Sequence, residues 1–209
     1  MKKLLCTSVA GLLIGTALPA FAASTTDLTV KGLIVPSACA PSLSAGGTVD
    51  VGRISISDLN QDTRTQLTPT TLQLSINCEA PTLFAMNVTD NRADSAASMA
   101  EFGVGKTTAD ERIGGFYLLL DKGIADEADV QQIASMNNGT TWFRHWEDDA
   151  WASNLLVSIK QIGAASTPIP AKDTQMELTV NPFIHPAKNL TISEDTVIDG
   201  SVTVTVQYL

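Results

Sequence analysis

The chain has 209 residues, of which 44% are hydrophobic and 17% charged, and its formal net charge is −9. Its apolar content excludes a disordered acidic tail, its low charged fraction excludes a coiled coil, and an acidic chain without a basic run lacks the positive surface that nucleic acid or anionic lipid requires. Threonine alone supplies 24 residues. Because Thr, Val and Ile favour sheets, the composition predicts an all-β protein.

Residues 1–22 have the pattern of a secretory signal peptide. Lys2 and Lys3 precede an apolar run from Leu4 to Leu18, and Ala20-Phe21-Ala22 supplies a small-x-small cleavage site. The apolar run is shorter than the roughly 20 residues that cross a bilayer. We therefore expect cleavage after Ala22 and an exported chain without a membrane span.

Two cysteines, Cys39 and Cys78, remain after the signal peptide is removed. In an oxidising compartment they allow one disulfide, which would stabilise the fold by roughly 3 to 4 kcal/mol in the chain-entropy model. The alternative is a pair of buried free thiols.

Short alternating or apolar runs recur between turn signals and predict an all-β sandwich or barrel in one domain. The part from Asp90 to Asn154 is the least regular, and a short helix over Asp126–Met136 is an alternative within it. The eight predicted strands are Asp27–Val35, Val49–Ile56, Thr71–Cys78, Leu83–Val88, Phe116–Leu120, Leu155–Ile162, Met176–Val180 and Ser201–Leu209.

The chain shows no catalytic motif. His145 and His185 are its only histidines, and neither lies near a nucleophile motif such as Gly-x-Ser-x-Gly. We therefore expect no enzymatic activity, no cofactor and no metal, and an exported hydrolase ranks third among the functional hypotheses.

All three tryptophans, Trp142, Trp146 and Trp151, occur within ten residues of one another. Clustered aromatic rings beside polar groups are typical of a surface that stacks on sugars or binds a partner. This pattern supports an alternative function, a self-complete secreted carbohydrate-binding module. The other interpretation is a hairpin whose rings cover one edge of the core.

Alternating strands are predicted at both ends of the exported chain. Near the start, Leu28, Val30, Gly32 and Ile34 share one side. In the last strand one side carries the apolar residues and the other carries threonines and Gln207; the apolar residues are Val202, Val204, Val206 and Tyr208. Each apolar side must be buried, and in isolation each segment could complete the chain's own sheet.

Three ordered features together resemble pilin subunits of chaperone–usher fimbriae of Gram-negative bacteria. Gly32 lies seven residues before Cys39, the two cysteines are 39 positions apart, and Tyr208 is the penultimate residue. The runs Val49–Ile54 and Leu72–Cys78 are also similar to the corresponding parts of major pilins. A longer middle segment, and Gly200 in place of a glycine about fourteen residues from the end, depart from that pattern and leave open a minor or specialised subunit.

The resemblance implies an immunoglobulin-like sandwich that lacks its last strand and is completed by donor-strand addition from a partner. The implied organisation is a signal peptide at 1–22, a donor strand at 23–36 and one pilin-like domain at 37–209. Implied partners are a periplasmic chaperone, an outer-membrane usher and neighbouring subunits, with a host receptor or glycan at the surface. The chain would pass through the periplasm into a fimbrium that supports cell adhesion.

In that scheme the residues at the two ends have separate roles. Leu28, Val30, Gly32 and Ile34 would enter a neighbour's groove, with Gly32 at the point where no side chain fits. The C-terminal residues would form the groove edge and the chaperone contact; they are Val204, Val206 and Tyr208.

Overall fold

The structure, a computed structural model, describes residues 28–31 and 38–209. These two stretches belong to different compact units and are taken separately. The predicted signal peptide, Gly32 and Ile34 lie outside the described residues.

Residues 38–209 are all-β, as the composition predicted. The described residues contain short 3-10 turns at Ser44–Gly47, Ile56–Asp58, Ala93–Ser95 and Ala187–Asn189. They form eleven strands: β1 Cys39–Leu43, β2 Thr65–Gln66, β3 Thr70–Thr82, β4 Phe84–Asp90, β5 Phe102–Gly103, β6 Gly114–Ala125, β7 Ala128–Ser135, β8 Phe143–Arg144, β9 Leu156–Gln161, β10 Ala171–Ile184 and β11 Val202–Tyr208.

The strands form a nearly closed antiparallel sheet in the order β1-β3-β10-β6-β7-β9-β4-β11. Three short strands extend it, because β2 pairs with β10, β5 with β6 and β8 with β7. The first and last strands of the path, β1 and β11, are its two free edges. They approach each other at one point, where the Cys39 backbone N–H donates to Tyr208 Oη at 3.0 Å.

Alternation along the strands builds one core. In β3 the side chains of Leu72, Leu74 and Ile76 are buried while Gln73 and Asn77 are exposed. This pattern places every second residue on the inner face. The same face receives fully buried side chains from other strands and from the long loop before β9, among them Phe84, Met86, Leu118, Leu120, Trp151, Ile159 and Met176.

The predicted disulfide is confirmed. Cys39 and Cys78 are bonded and lie directly opposite each other in the register of β1 and β3. The bond therefore fastens the edge strand β1 to the rest of the sheet.

Six of the predicted strands are confirmed, within β3, β4, β6, β9, β10 and β11. Val49–Ile56 is not a strand. The Asp50 side chain accepts a hydrogen bond from the Gly52 backbone N–H at 2.8 Å, and Gly52 has a φ of +70°. This local turn interrupts the extended backbone that Val49 and Val51 would otherwise favour. Of the first predicted strand, Asp27–Val35, the four described residues have no strand structure.

The helix considered over Asp126–Met136 is wrong, because this segment contains the whole of β7. Asp126 and Glu127 have φ values of 48° and 69° and make a two-residue hairpin between β6 and β7. Such turns usually contain glycine. Here the Asp126 carboxylate accepts hydrogen bonds from the backbone N–H groups of Lys172 and Asp173, which fixes the turn against the start of β10.

Candidate functional site: an apolar groove

A groove of about 1030 Å³ lies between residues 48–58 and residues 192–202. Its floor is the buried core, with side chains from β3, β6 and β10. Leu72, Leu118 and Leu178 represent these three strands. The groove is therefore apolar at its base, and its volume is at the upper end of the range for ligand sites.

Two stretches without strand pairing flank this groove. Residues 48–55 and 191–201 have no partner strand in the sheet, although both run alongside it. Their apolar side chains only partly cover the floor. Ile54 and Ile198 are half-buried against the core, whereas Val197 is 76% exposed. Backbone groups outside a ladder offer hydrogen-bonding positions to an added strand.

The second flank, residues 191–201, is anchored at both ends. The Glu111 carboxylate accepts hydrogen bonds from the backbone N–H and, at 2.9 Å, from the hydroxyl of Thr191. The backbone hydrogen bond is the main reason why the pKa of Glu111 lies below its usual value. At the other end Asp199 forms an ion pair with Arg92.

Gly200 completes this second anchor. A Cβ atom placed on it would lie 2.7 Å from Cε1 of Phe116 and 3.2 Å from Cγ1 of Val104. The backbone therefore passes directly over the core just before β11 begins.

Strand β11 has one paired and one open edge. It pairs with β4 along its whole length, from Val202 opposite Asp90 to Tyr208 opposite Phe84. The side chains of Val204 and Val206 are half-buried and pack against the core. The groove lining includes Val202 but none of the three predicted edge residues, which instead lie along the open edge of β11.

The described part of the predicted donor segment is solvent-exposed. Leu28 and Val30, which share one side of the alternating pattern, are 90% and 87% exposed. Lys31 is exposed as well. Two large apolar side chains are thus uncovered within four residues.

The structure separates the three tryptophans. Trp151 is fully buried, and its backbone N–H donates to the Leu118 carbonyl at 2.8 Å. The expectation that all three rings share a surface is therefore wrong for Trp151, because this ring is part of the core. Trp142 is half-buried, and its Cζ2 lies 3.5 Å from the position a Cβ would take on Gly139. Only Trp146 is mostly open, at 51% exposure.

Trp146 is covered on one face by a cation. The Arg144 guanidinium carbon lies 3.5 Å from the centre of its ring, an arrangement that is attractive because the ring face is electronegative. Phe143, 40% exposed, is nearby in the sequence. Of the three tryptophans, Trp146 therefore offers the most accessible ring to a ligand.

Both histidines are removed from solvent to some degree, His145 fully and His185 in part. His145 is buried and its Nε2 has no hydrogen-bond partner, and burial lowers its pKa. His185 packs edge-on against the Phe183 ring at 5.6 Å, and its pKa is also lowered by burial. Within residues 28–31 and 38–209 no cluster of three metal-binding side chains occurs, and no helix there is long and apolar enough to cross a membrane.

Comparison with known proteins gives one family match and two relatives. Residues 28–101 match a family described as "Protein of unknown function (DUF1120)". The chain is similar to Protein GltF of Escherichia coli (strain K12), with 26% identity over 250 residues that cover 100% of this chain and 98% of the relative. It is also similar to the uncharacterized protein YhcF of the same strain, with 26% identity over 228 residues, 92% of this chain and 94% of the relative. These names state no activity, ligand or partner.

Sequence reasoning missed most of the groove. Residues 191–201 contain three large apolar residues, Ile192, Val197 and Ile198, whose spacing does not alternate and which lie among acidic residues and Gly200. Ile192 and Ile198, which pack against the core, were the sequence signal that this segment lies over the sheet.

Proposed function

We propose that this chain is a structural subunit of a surface fimbria and is joined to its neighbours by strand donation. The apolar groove between the two unpaired flanks, which reaches the start of β11 at Val202, is the observation that carries the proposal. In β-strand addition the backbone supplies hydrogen bonds and alternate side chains fill pockets. A periplasmic chaperone and an outer-membrane usher would deliver the subunit to a fimbrium that supports cell adhesion.

The N-terminal segment is the natural donor in this proposal. Leu28 and Val30 are exposed, and exposed large apolar residues mark interaction sites when they lie on one side of a segment. Burying Leu28, Val30 and Ile34 in a neighbour would contribute on the order of 5 to 8 kcal/mol before ordering costs. Gly32 would pass where the groove is shallowest.

The gap between the two edges of the sheet supports a missing strand. The edges β1 and β11 meet through a hydrogen bond from the Cys39 backbone N–H to the Tyr208 hydroxyl, and not through a backbone ladder. An added strand that runs along residues 191–201 and β11 would complete the ladder and cover the groove floor. Val204, Val206 and Tyr208 would then lie between β4 and the donor, which is the edge role the sequence predicted for them. The proposal involves no catalytic step and no cofactor.

The test is refolding of the chain without residues 1–22, alone and with an excess of a peptide that spans Ser24–Pro36. The chain alone should aggregate or form polymers, and the peptide should yield a soluble monomer on size-exclusion chromatography. A Val30→Asp peptide should fail because it places a charge in the groove. A Thr29→Asp peptide should still succeed near 1 M salt, where charges at the solvent-exposed mouth are screened, since it carries the same charge change on the opposite side of the strand. A chain that refolds alone to a stable monomer, unaffected by any peptide, would contradict the proposal.

A glycan-binding module is the second candidate, and the exposed ring of Trp146 is the observation that favours it. Arg144 lies over one face of this ring, and the residue keeps 51% of its surface exposed. This function predicts a monomer that is stable without a donor and binds oligosaccharides, with binding lost in Trp146→Ala. Titration calorimetry on the two proteins distinguishes it from the fimbrial proposal.

A further inference from the structure

The mouth of the apolar groove is acidic. Five carboxylates line it, and within the described residues one cation, Arg53, does so. The acidic residues come from both flanks; they are Asp50, Asp58, Glu194, Asp195 and Asp199. Clustered charge of one sign beside a low-dielectric wall attracts a partner of the opposite sign.

Two of these carboxylates already have cationic partners. Arg53 lies 3.8 Å from Asp195, and this pair joins the two flanks across the groove. Asp199 is paired with Arg92. Asp50 accepts only a backbone hydrogen bond, and the described residues provide no hydrogen-bond or ion-pair partner for the Glu194 side chain. The groove mouth therefore keeps a negative excess.

The proposed donor segment carries one cation. In residues 23–36, Lys31 is the sole basic residue and Asp27 the sole acidic one. Leu28 and Val30 are separated by two positions, so strand alternation places Lys31 on the opposite side. Asp27 lies on that side too, four positions before Lys31, so the cation is a local feature of the outer side and not a net charge of the segment. When the apolar side of the donor faces the groove floor, Lys31 faces its acidic mouth.

We propose that Lys31 is a specificity-determining residue and that the occupant of the groove is the N-terminal segment of a second copy of this chain. The inference rests on the proposed function, because it assumes that a strand enters the groove. The acidic mouth selects donors with a cation on the outer side, and the chain's own segment meets that condition. The chain then forms a polymer of identical subunits. The apolar side of the donor segment provides most of the affinity, and the interaction of Lys31 with the acidic mouth makes the groove prefer this donor.

The expected change in peptide affinity follows from the solvent exposure of the charges at the groove mouth. Arg53 and Asp195 have exposed side-chain fractions of 94% and 100%, so charges at the groove mouth are solvated and weakly coupled. Replacing Lys31 of the donor peptide by Glu should weaken its binding to the groove about fivefold to tenfold at low salt. The difference should fall below about twofold near 1 M salt, where the Debye length is about 3 Å.

The experiment measures binding of fluorescent Ser24–Pro36 peptides to the chain without residues 1–22, by anisotropy. The unchanged peptide is compared with a Lys31→Glu peptide and a Lys31→Arg peptide at about 0.01 M and about 1 M salt. The unchanged and Lys31→Arg peptides should bind alike, and Lys31→Glu should bind more weakly at low salt only.

Reversing the charge of the groove provides the reciprocal arm. In a Glu194→Lys chain the Lys31→Glu peptide should recover and bind at least as tightly as the unchanged peptide. Asp129→Lys is the matched control. Asp129 is exposed on β7 and lies outside the groove lining, and the substitution changes the net charge by the same amount as Glu194→Lys. That chain should keep the original preference.

The outcomes separate the two proposals. If both peptides bind equally, or if Asp129→Lys reverses the preference as Glu194→Lys does, the role of Lys31 is refuted while strand donation stands. If no peptide binds and the chain is a stable monomer, strand donation itself is refuted. A preference that persists unchanged at high salt would assign the effect to shape and not to charge, and would also overturn the inference.

Discussion

Removing the Cys39–Cys78 disulfide should lower the free energy of unfolding by roughly 4 kcal/mol at 25 °C. The bond joins residues 39 positions apart, and the chain-entropy model assigns about 13 cal/mol/K to a loop of that length. Both cysteines lie at paired positions of β1 and β3, so the bond also holds the edge strand that approaches Tyr208. Its loss should therefore loosen β1 before the rest of the sheet.

Urea unfolding followed by tryptophan fluorescence is the assay, since Trp151 is fully buried and reports on the core. The oxidised chain, the reduced chain and the Cys39→Ala/Cys78→Ala variant should be compared. The reduced chain isolates the cross-link because it keeps both sulfur atoms. The double variant also loses volume at the buried Cys78 and should be less stable by about another 1 kcal/mol. Oxidised and reduced chains that unfold within about 1 kcal/mol of each other would refute the reasoning.

Two further predictions concern the segment with the tryptophans. Trp151→Ala should cost about 3 to 5 kcal/mol of unfolding free energy because its ring is fully buried, whereas Trp146→Ala should change it by less than about 0.5 kcal/mol; similar losses in urea unfolding would contradict the separation of these rings. Burial lowers the pKa of His145 in the folded chain. The unfolded chain therefore binds a proton at His145 more tightly than the folded chain does. The free energy of unfolding is accordingly unaffected by this group above about pH 6.5 and decreases as the pH falls below that value. His145→Phe should flatten this decline in urea midpoints measured between about pH 5 and 8, and parallel curves for the two proteins would show that His145 is not its source.

The fold class and most strands could be predicted because alternation is a local property of the sequence. The run from Leu72 to Cys78 shows this, since its apolar positions are also the buried ones. Failures occurred where a local turn overrides the pattern. Gly52 breaks an otherwise strand-like run, and Asp126 with Glu127 forms a hairpin turn without glycine. The Asp126 turn depends on hydrogen bonds to β10, which no local pattern records.

The candidate site was less predictable because it is assembled from distant parts of the chain. Strand β11 has regular alternation and was recognised, whereas the donor role of the N-terminal segment stays a prediction. The flanks of the groove have no regular hydrogen bonding, and the contact between Arg53 and Asp195 joins residues that are far apart in the sequence. The core position of Trp151 likewise could not be separated from the exposed position of Trp146, because both occur in one aromatic cluster.

Hydrogen–deuterium exchange of the chain without residues 1–22, with and without the Ser24–Pro36 peptide, is the most direct test of the groove as a strand-binding site. The account predicts at least about tenfold slower exchange for amides of Val202–Tyr208 that are not bonded to β4, with Ala128–Ser135 in β7 unchanged as an internal control. Protection at β11 that appears with the unchanged peptide but not with Val30→Asp would show strand addition at this edge. Unchanged exchange along β11 under saturating peptide would contradict it.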